Sequence, residues 1–360
     1  MKVASGKTPI ITRRDTDGQP AWRRELGRAI TEPEALLDML RLDRSLLPAA
    51  AAAARCFGLR VPRGFAARMK PGDPDDPLLR QVLPLAAELE NVPGFVPDPV
   101  ADGSAEQGRG VLRKYHGRTL LIASGSCAVH CRYCFRREFP YAGHVAASGG
   151  WADALAAVAA DSSTREVILS GGDPLTLSDA TLSRLTDGLR KIPHVTRLRI
   201  HTRLPVVLPE RVDAGLCSWL ASLPWKVCIV LHFNHAREID GDVTAAIHRL
   251  RDTGVLLLNQ SVLLKGVNDD PGVLADLSET LFAAGVLPYY LHLLDPVKGA
   301  AHFDVPEHRA RHIAAALAAR LPGYLVPRLV REIPGASAKS LVGPFPENAT
   351  PEPLRSRPRM

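Results

Sequence analysis

Residues 119–137 read TLLIASGSCAVHCRYCFRR. The apolar run TLLIAS predicts a buried strand, and the polar stretch after it predicts a loop. That loop carries Cys127, Cys131 and Cys134 in a C-x3-C-x2-C spacing. Thiolates are the usual protein ligands of a 4Fe-4S cube, and three of them leave one iron corner open to bind something else. A zinc knuckle, or three cysteines packed as small apolar residues, is the alternative. Zinc usually recruits C-x2-C pairs with a fourth ligand nearby, so the spacing favours the cluster.

Working outward from this strand, the pattern repeats. The strings EVILSG, TRLRIHT, KVCIVLHF, VLLLNQSVLL and PYYLHLLD are strand-like, and they alternate with helical stretches such as SDATLSRLTDGLRKI and DVTAAIHRLRDTG. Six βα units in a row predict an α/β fold with a parallel sheet. Right-handed crossovers curl such a sheet toward a barrel, and six units rather than eight leave it partly open. A doubly wound open sheet is the competing architecture. Residues 1–110 read as a helical and extended region, with a capping box at Thr31 and Glu34 before Leu36, Leu37 and Leu40. Within it, proline-rich 70–110 reads as an extended lead-in wrapping the core. The core is expected over 111–300, a C-terminal segment over 301–345 and a disordered tail over 346–360.

Bulk properties narrow the class. The 360 residues are 46% hydrophobic, enough for a large buried core. The chain contains no apolar run of about eighteen residues and its N-terminus lacks a secretory h-region, so a cytoplasmic protein without a membrane partner is expected. Cys56, Cys217 and Cys228 lie in apolar surroundings and read as buried thiols, which suits a reducing compartment. A net charge of +7 is spread without a basic run interleaved by aromatics, so it reads as ordinary surface charge and not as a nucleic-acid site. It can also help attract anionic cofactors such as a phosphate ester.

Parallel βα folds place their chemistry on the loops after the strands. Beyond the cysteine loop, the second strand ends in SGGDP, the fourth in HFNH, the fifth carries NQS and the sixth ends at Asp295. Gly171 and Gly172 let backbone approach a ligand, and Asp173 can accept from an ammonium. Gly-Gly-Asp-Pro is also an ordinary turn. His232 and Gln260 are candidates for hydrogen bonds to a cofactor, although a lone histidine at a strand end is more often structural.

With the cysteines placed, Tyr133 before the third of them completes a resemblance to the radical S-adenosylmethionine (SAM) superfamily. The resemblance implies a partial (βα)6 barrel, SAM chelated at the open iron, and a 5'-deoxyadenosyl radical. It also places the methionine amino group at the glycine-rich element after the second strand. The strings KYHGRTLL, CRYCFRREFPY, SGGDPL, LHFNHAREID, LLNQSVLLKGVND and PYYLHLLDPVKGAAHF together resemble the lysine 2,3-aminomutase family from about residue 60 to 345. The likeness is greatest to the short bacterial form that makes (R)-β-lysine for modification of elongation factor P. It implies an isomerase acting on free L-lysine, a reductant protein for the cluster and a functional link to elongation factor P and its lysyl ligase.

The family also uses pyridoxal phosphate, and its Schiff-base lysine lies in a C-terminal glycine-rich segment. Here that segment reads PGASAKS, which puts the role on Lys339, with fewer glycines and a stiffer loop. Without the resemblance Lys339 would read as a solvent-exposed lysine. By the same matching, Tyr115 and Arg118 flank the pyridoxal ring and Arg136 takes the substrate carboxylate, its alternative being a surface arginine in FRRE. Asp295 and Glu332 grip the distal ammonium. A desolvated acidic pair selects a cation over a glutamate-like carboxylate. Glu332 stands where the free-standing lysine enzymes have aspartate, which leaves another amino acid as the alternative substrate. A non-catalytic iron–sulfur protein is the third reading. Asp270 and the lack of cysteines after Cys228 imply no subunit-bridging zinc and a different or weaker homo-oligomer.

Overall fold

The computed structural model describes residues 19–343, so the tail expected over 346–360 lies outside the described residues. Nine strands form one sheet: β1 Val111–Leu112, β2 Arg118–Ser124, β3 Glu166–Gly171, β4 Arg197–Thr202, β5 Lys226–Leu231, β6 Leu256–Val262, β7 Leu287–His292, β8 Arg328–Arg331 and β9 Ser340–Leu341. Their order in the sheet is their order in the chain. From β2 to β8 each strand is parallel to the next. Short antiparallel strands finish both ends. A doubly wound sheet must reverse its strand order partway, and this one does not. The architecture is therefore the partial barrel. Among the described residues β1 and β9 do not pair, which leaves a seam.

The sheet holds one parallel strand more than the six expected. β8 joins β7 through the helix Glu307–Arg320. Its RLVR buries only Leu329 and Val330 between exposed arginines, too short an apolar run to stand out. The crossover helices start where acidic or hydroxyl side chains cap them. Ser178, Asp213, Asp240 and Asp270 accept from the first-turn amides of Asp179–Leu189, Ala214–Ala221, Gly241–Asp252 and Pro271–Ala284. Asp270 is thus a helix cap, bonded to the Gly272 and Val273 amides at 2.7 and 3.1 Å.

Two further expectations are corrected. The helix Pro33–Met39 is entered through Glu32 with no side-chain cap, because Pro33 at the first position sets the start two residues after Thr31. Glu34 pairs with Arg44 at 3.3 Å instead, while Leu36, Leu37 and Leu40 are buried as expected. The three thiols read as buried are not: Cys56 is exposed at the end of helix Leu47–Cys56, and Cys217 and Cys228 are half-buried.

One apolar core runs from Trp22 to Val342, so the N-terminal helices, the sheet and the C-terminal segment pack together. A smaller cluster of Tyr133, Leu264, Val267, Leu294, Val297, Ala300 and Phe303 lies beside the cysteine loop. Residues 70–110 contain short helical turns as well as extended chain. Among the described residues no helix is long and apolar enough to cross a membrane.

Candidate active site

The cysteine loop leaves β2 and is fixed first by the end of β3. The amides of Gly172 and Asp173 donate to the Ser124 and Ser126 carbonyls, both at 2.7 Å. A side chain on Gly171 would place Cβ 2.7 Å from the Ser124 oxygen, and one on Gly172 would meet the Ser126 oxygen at 2.4 Å. The two glycines therefore allow a close approach of backbone to backbone. Asp173 is also used internally. Its carboxylate accepts from Thr202 Oγ1 and from the amides of Leu175, Arg203 and Leu204, which leaves no oxygen for an incoming ammonium.

The N-terminal region braces the same loop. The His130 amide donates to the Arg60 carbonyl and the Arg132 amide to the Gln81 carbonyl, both at 2.9 Å. Buried Glu88 takes Arg132 through both oxygens, at 2.8 and 2.5 Å, and Arg137 at 2.7 Å. The two guanidiniums lie over the Phe57 ring, 4.7 and 4.8 Å from its centre. Three thiols are thus held near one another on a braced turn. Burial, with a smaller push from the neighbouring sulfurs, raises Cys127 well above its ordinary value and Cys134 to about 11.

Among the described residues no three His, Cys, Asp or Glu side chains converge as ligands of a single metal ion. Three thiols on one braced loop fit the three-cysteine donor set of a 4Fe-4S cluster with one open corner. Metal must displace the thiol protons, which burial makes costly and a cluster would offset.

A second constellation lies across the seam. Lys339 is half-buried, its Nζ 2.5 Å from Glu332 Oε2. Lys114, just beyond β1, sits 3.6 Å from Glu332 Oε1 and 2.7 Å from Asp102 Oδ1. Asp102 Oδ2 accepts from Arg136 Nε at 2.7 Å, and Arg136 Nη1 donates to Ser170 Oγ at 3.0 Å. Alternating charges therefore run without a gap from the lysine loop to the cysteine loop. Arg136 is only 6% exposed, which rules out the surface arginine.

Burial alone would raise the Asp102 and Glu332 carboxyls. Arg136 and Lys114 beside the first, and Lys339, Tyr115 and Lys114 beside the second, outweigh it and hold both below their ordinary values. Asp295 is different: burial, with Glu332 adding to it against Lys339, pushes it up to about 7. A cavity of about 200 Å³ opens here, lined by Lys114, Tyr115, Glu332 and Ala336 among others. Arg118, the exposed first residue of β2, lies 5.4 Å from the Tyr115 ring centre.

Three histidines occupy the barrel interior: His201 on β4, His232 after β5 and His292 closing β7. Burial pushes His232 down to about 3 and the other two well below their ordinary values, so all three are neutral at physiological pH. The buried Nε2 atoms of His232 and His292 have no partner. Gln260 is half-buried at a break in the β6–β7 register. Its neighbours Asn259 and Ser261 are spent on the Phe233 backbone.

Sequence reasoning missed Arg203, Asp102 and Lys114. Arg203 follows β4, the one strand end to which no role was given. Asp102 belongs to no motif, and Lys114, though it opens the string KYHGRTLL, was given no role; only the alternation of charge across the fold reveals them.

No family model matches the sequence. Curated relatives do. An L-lysine 2,3-aminomutase of Escherichia coli is 48% identical over 327 residues, covering 91% of this chain and 95% of the relative. One from Haemophilus influenzae is 46% identical over 89% of this chain and 95% of the relative. One from Clostridium subterminale is 34% identical over 90% and 78%. A solved radical SAM methyltransferase from Sphaerobacter thermophilus superposes over 61% of this chain and 68% of its own with a TM-score of 0.44 and 22% identity, too distant to carry weight. With relatives this similar over most of their length, the chain belongs to the L-lysine 2,3-aminomutase family of isomerases.

Proposed function

We propose that this protein moves the α-amino group of L-lysine to C3, giving β-lysine, with a 4Fe-4S cluster, SAM and pyridoxal phosphate as its cofactors. The observation that carries the reading is the primary ammonium of Lys339 resting on Glu332 at 2.5 Å, with Asp295 beside it. The chain's own amine on Glu332 supports an acidic site suited to the group found at the far end of lysine. The cluster with SAM supplies a carbon radical able to take a non-acidic hydrogen, and pyridoxal phosphate supplies a carbonyl carbon for the migrating nitrogen.

The chain's own residues do the rest. Cys127, Cys131 and Cys134 hold the cluster. Neutral His232, whose buried Nε2 lacks a partner, and Gln260 bind SAM. With the Asp173 carboxylate spent on Thr202 and three amides, backbone at Gly171 and Gly172 is left to receive the methionine amino group. Lys339 is the amine that joins pyridoxal phosphate, and Tyr115 and Arg118 border it. Arg136, held by Asp102 and Ser170, takes the substrate carboxylate with a guanidinium already oriented. Asp295 and Glu332 receive the ε-ammonium. Its arrival favours ionisation of Asp295, whose carboxyl, pushed up to about 7, is otherwise only partly ionised.

The test is anaerobic reconstitution with iron, sulfide and pyridoxal phosphate, then reductant, SAM and L-lysine, with products followed by chiral chromatography. β-Lysine that disappears in Cys131→Ala and Lys339→Ala is expected. A reconstituted protein that leaves lysine unchanged would overturn the reading. We also propose that (R)-β-lysine is the product and serves modification of elongation factor P. This rests on the resemblance to the short bacterial form, and the mass of elongation factor P in a strain lacking this protein tests it.

A further inference from the structure

We propose that Arg203 is a positioning residue that sets the reduction potential of the cluster, by donating a charged hydrogen bond to the sulfur of Cys131. This rests on the reading of the three cysteines as cluster ligands. Arg203 is the first residue after β4 and is 5% exposed. Its Nη1 lies 2.8 Å from Cys131 Sγ. Nη2 donates to Gln81 Oε1 at 2.6 Å and lies 3.4 Å from Glu238 Oε1. The rings of Phe65 and Tyr133 cover the guanidinium, their centres 5.6 and 5.7 Å from Cζ. Its backbone amide is held by Asp173 at 2.7 Å.

Both terminal nitrogens of the guanidinium are therefore engaged, only its buried Nε lacks a partner, and the cation is almost wholly shut off from water. One-electron reduction adds negative charge to a cluster and its thiolates. A buried cation bonded to one of those sulfurs stabilises the reduced form and raises the potential. Water does not screen the interaction there. Glu238, fully buried, offsets part of the same charge. The site thus contains two opposed settings, Arg203 pulling the potential up and Glu238 drawing it back.

The experiment uses the full-length protein, anaerobically reconstituted, as wild type, Arg203→Met and Glu238→Gln. Iron and sulfide content is measured first, then the midpoint potential by titration followed with electron paramagnetic resonance. The expected result is a potential lower than wild type in Arg203→Met and higher in Glu238→Gln. Loss of packing alone would lower occupancy in both variants without moving their potentials in opposite directions. An unchanged potential in a fully loaded Arg203→Met overturns the inference. If that variant holds no cluster, Glu238→Gln decides alone: a higher potential supports the inference, an equal or lower one overturns it. Wild-type protein that takes up no cluster would instead overturn the reading on which the inference rests.

Discussion

Asp295→Asn is expected to make the protein more stable while removing a substrate contact. The reason lies in the carboxyl's position, raised from 3.8 to about 7 chiefly by burial. Between those values the native state holds a proton that the unfolded chain has released, so stability falls as pH climbs from about 4 to 7 and then levels off. A rise of that size corresponds to on the order of 4 kcal/mol. The carboxyl keeps some contact with solvent, which screens it, so about 2 kcal/mol is the expected effect. Asparagine has no proton to lose. Urea denaturation of wild type and Asp295→Asn, without cofactors, at pH 5, 6, 7 and 8 should show a gap in favour of the variant that widens up to about pH 7 and stays constant beyond. Coincident pH profiles, or a gap that closes as pH rises, would refute the argument. Lysine turnover by the variant should drop in the same preparations, a conflict between stability and function common at binding sites.

Three further outcomes follow from the geometry. Gly172→Ala puts a methyl 2.4 Å from a backbone oxygen of the cysteine loop, and should cost about 1–3 kcal/mol of stability together with iron content on reconstitution. Glu88→Ala strands two buried guanidiniums; a loss of about 3–5 kcal/mol is expected, read by chemical denaturation. Glu332→Gln removes the anion that holds an ammonium, so the KM for lysine should rise roughly ten- to a hundredfold, the equivalent of one charge-assisted hydrogen bond. An unchanged KM would move the ammonium site elsewhere.

The parallel strands were legible because each is a run of apolar residues closed by polar ones, and the strand ends followed from topology. β8 was not, since two apolar residues between arginines carry almost no periodic signal. Arg136 and Glu332 were placed by resemblance, but their environment was not visible: Asp102 reaches Arg136 only because the chain turns through a left-handed Ala101 before a one-turn helix. Asp173 shows the opposite failure. A carboxylate at a strand end looked available, and only the folded chain shows it already committed to the next strand's loop. Arg203 was hidden because one arginine before a leucine and a proline has no pattern of its own.

The seam has a consequence for how the chain acquires its chemistry. Lys114 and Glu332 lie at the two unpaired ends of the sheet, more than half the chain apart, and meet through charge and not through strand hydrogen bonds. Contacts between such distant segments carry the largest loop-closure penalty, so they form late in folding. Until β8 arrives, Arg136, Asp102 and Lys114 lack their fourth partner, and a chain interrupted before residue 328 has a cysteine loop but no amine pocket. The cysteine-loop and lysine-loop halves of the site are thereby separated along the chain, and the row of charges that joins them becomes complete only when the last parallel strand docks.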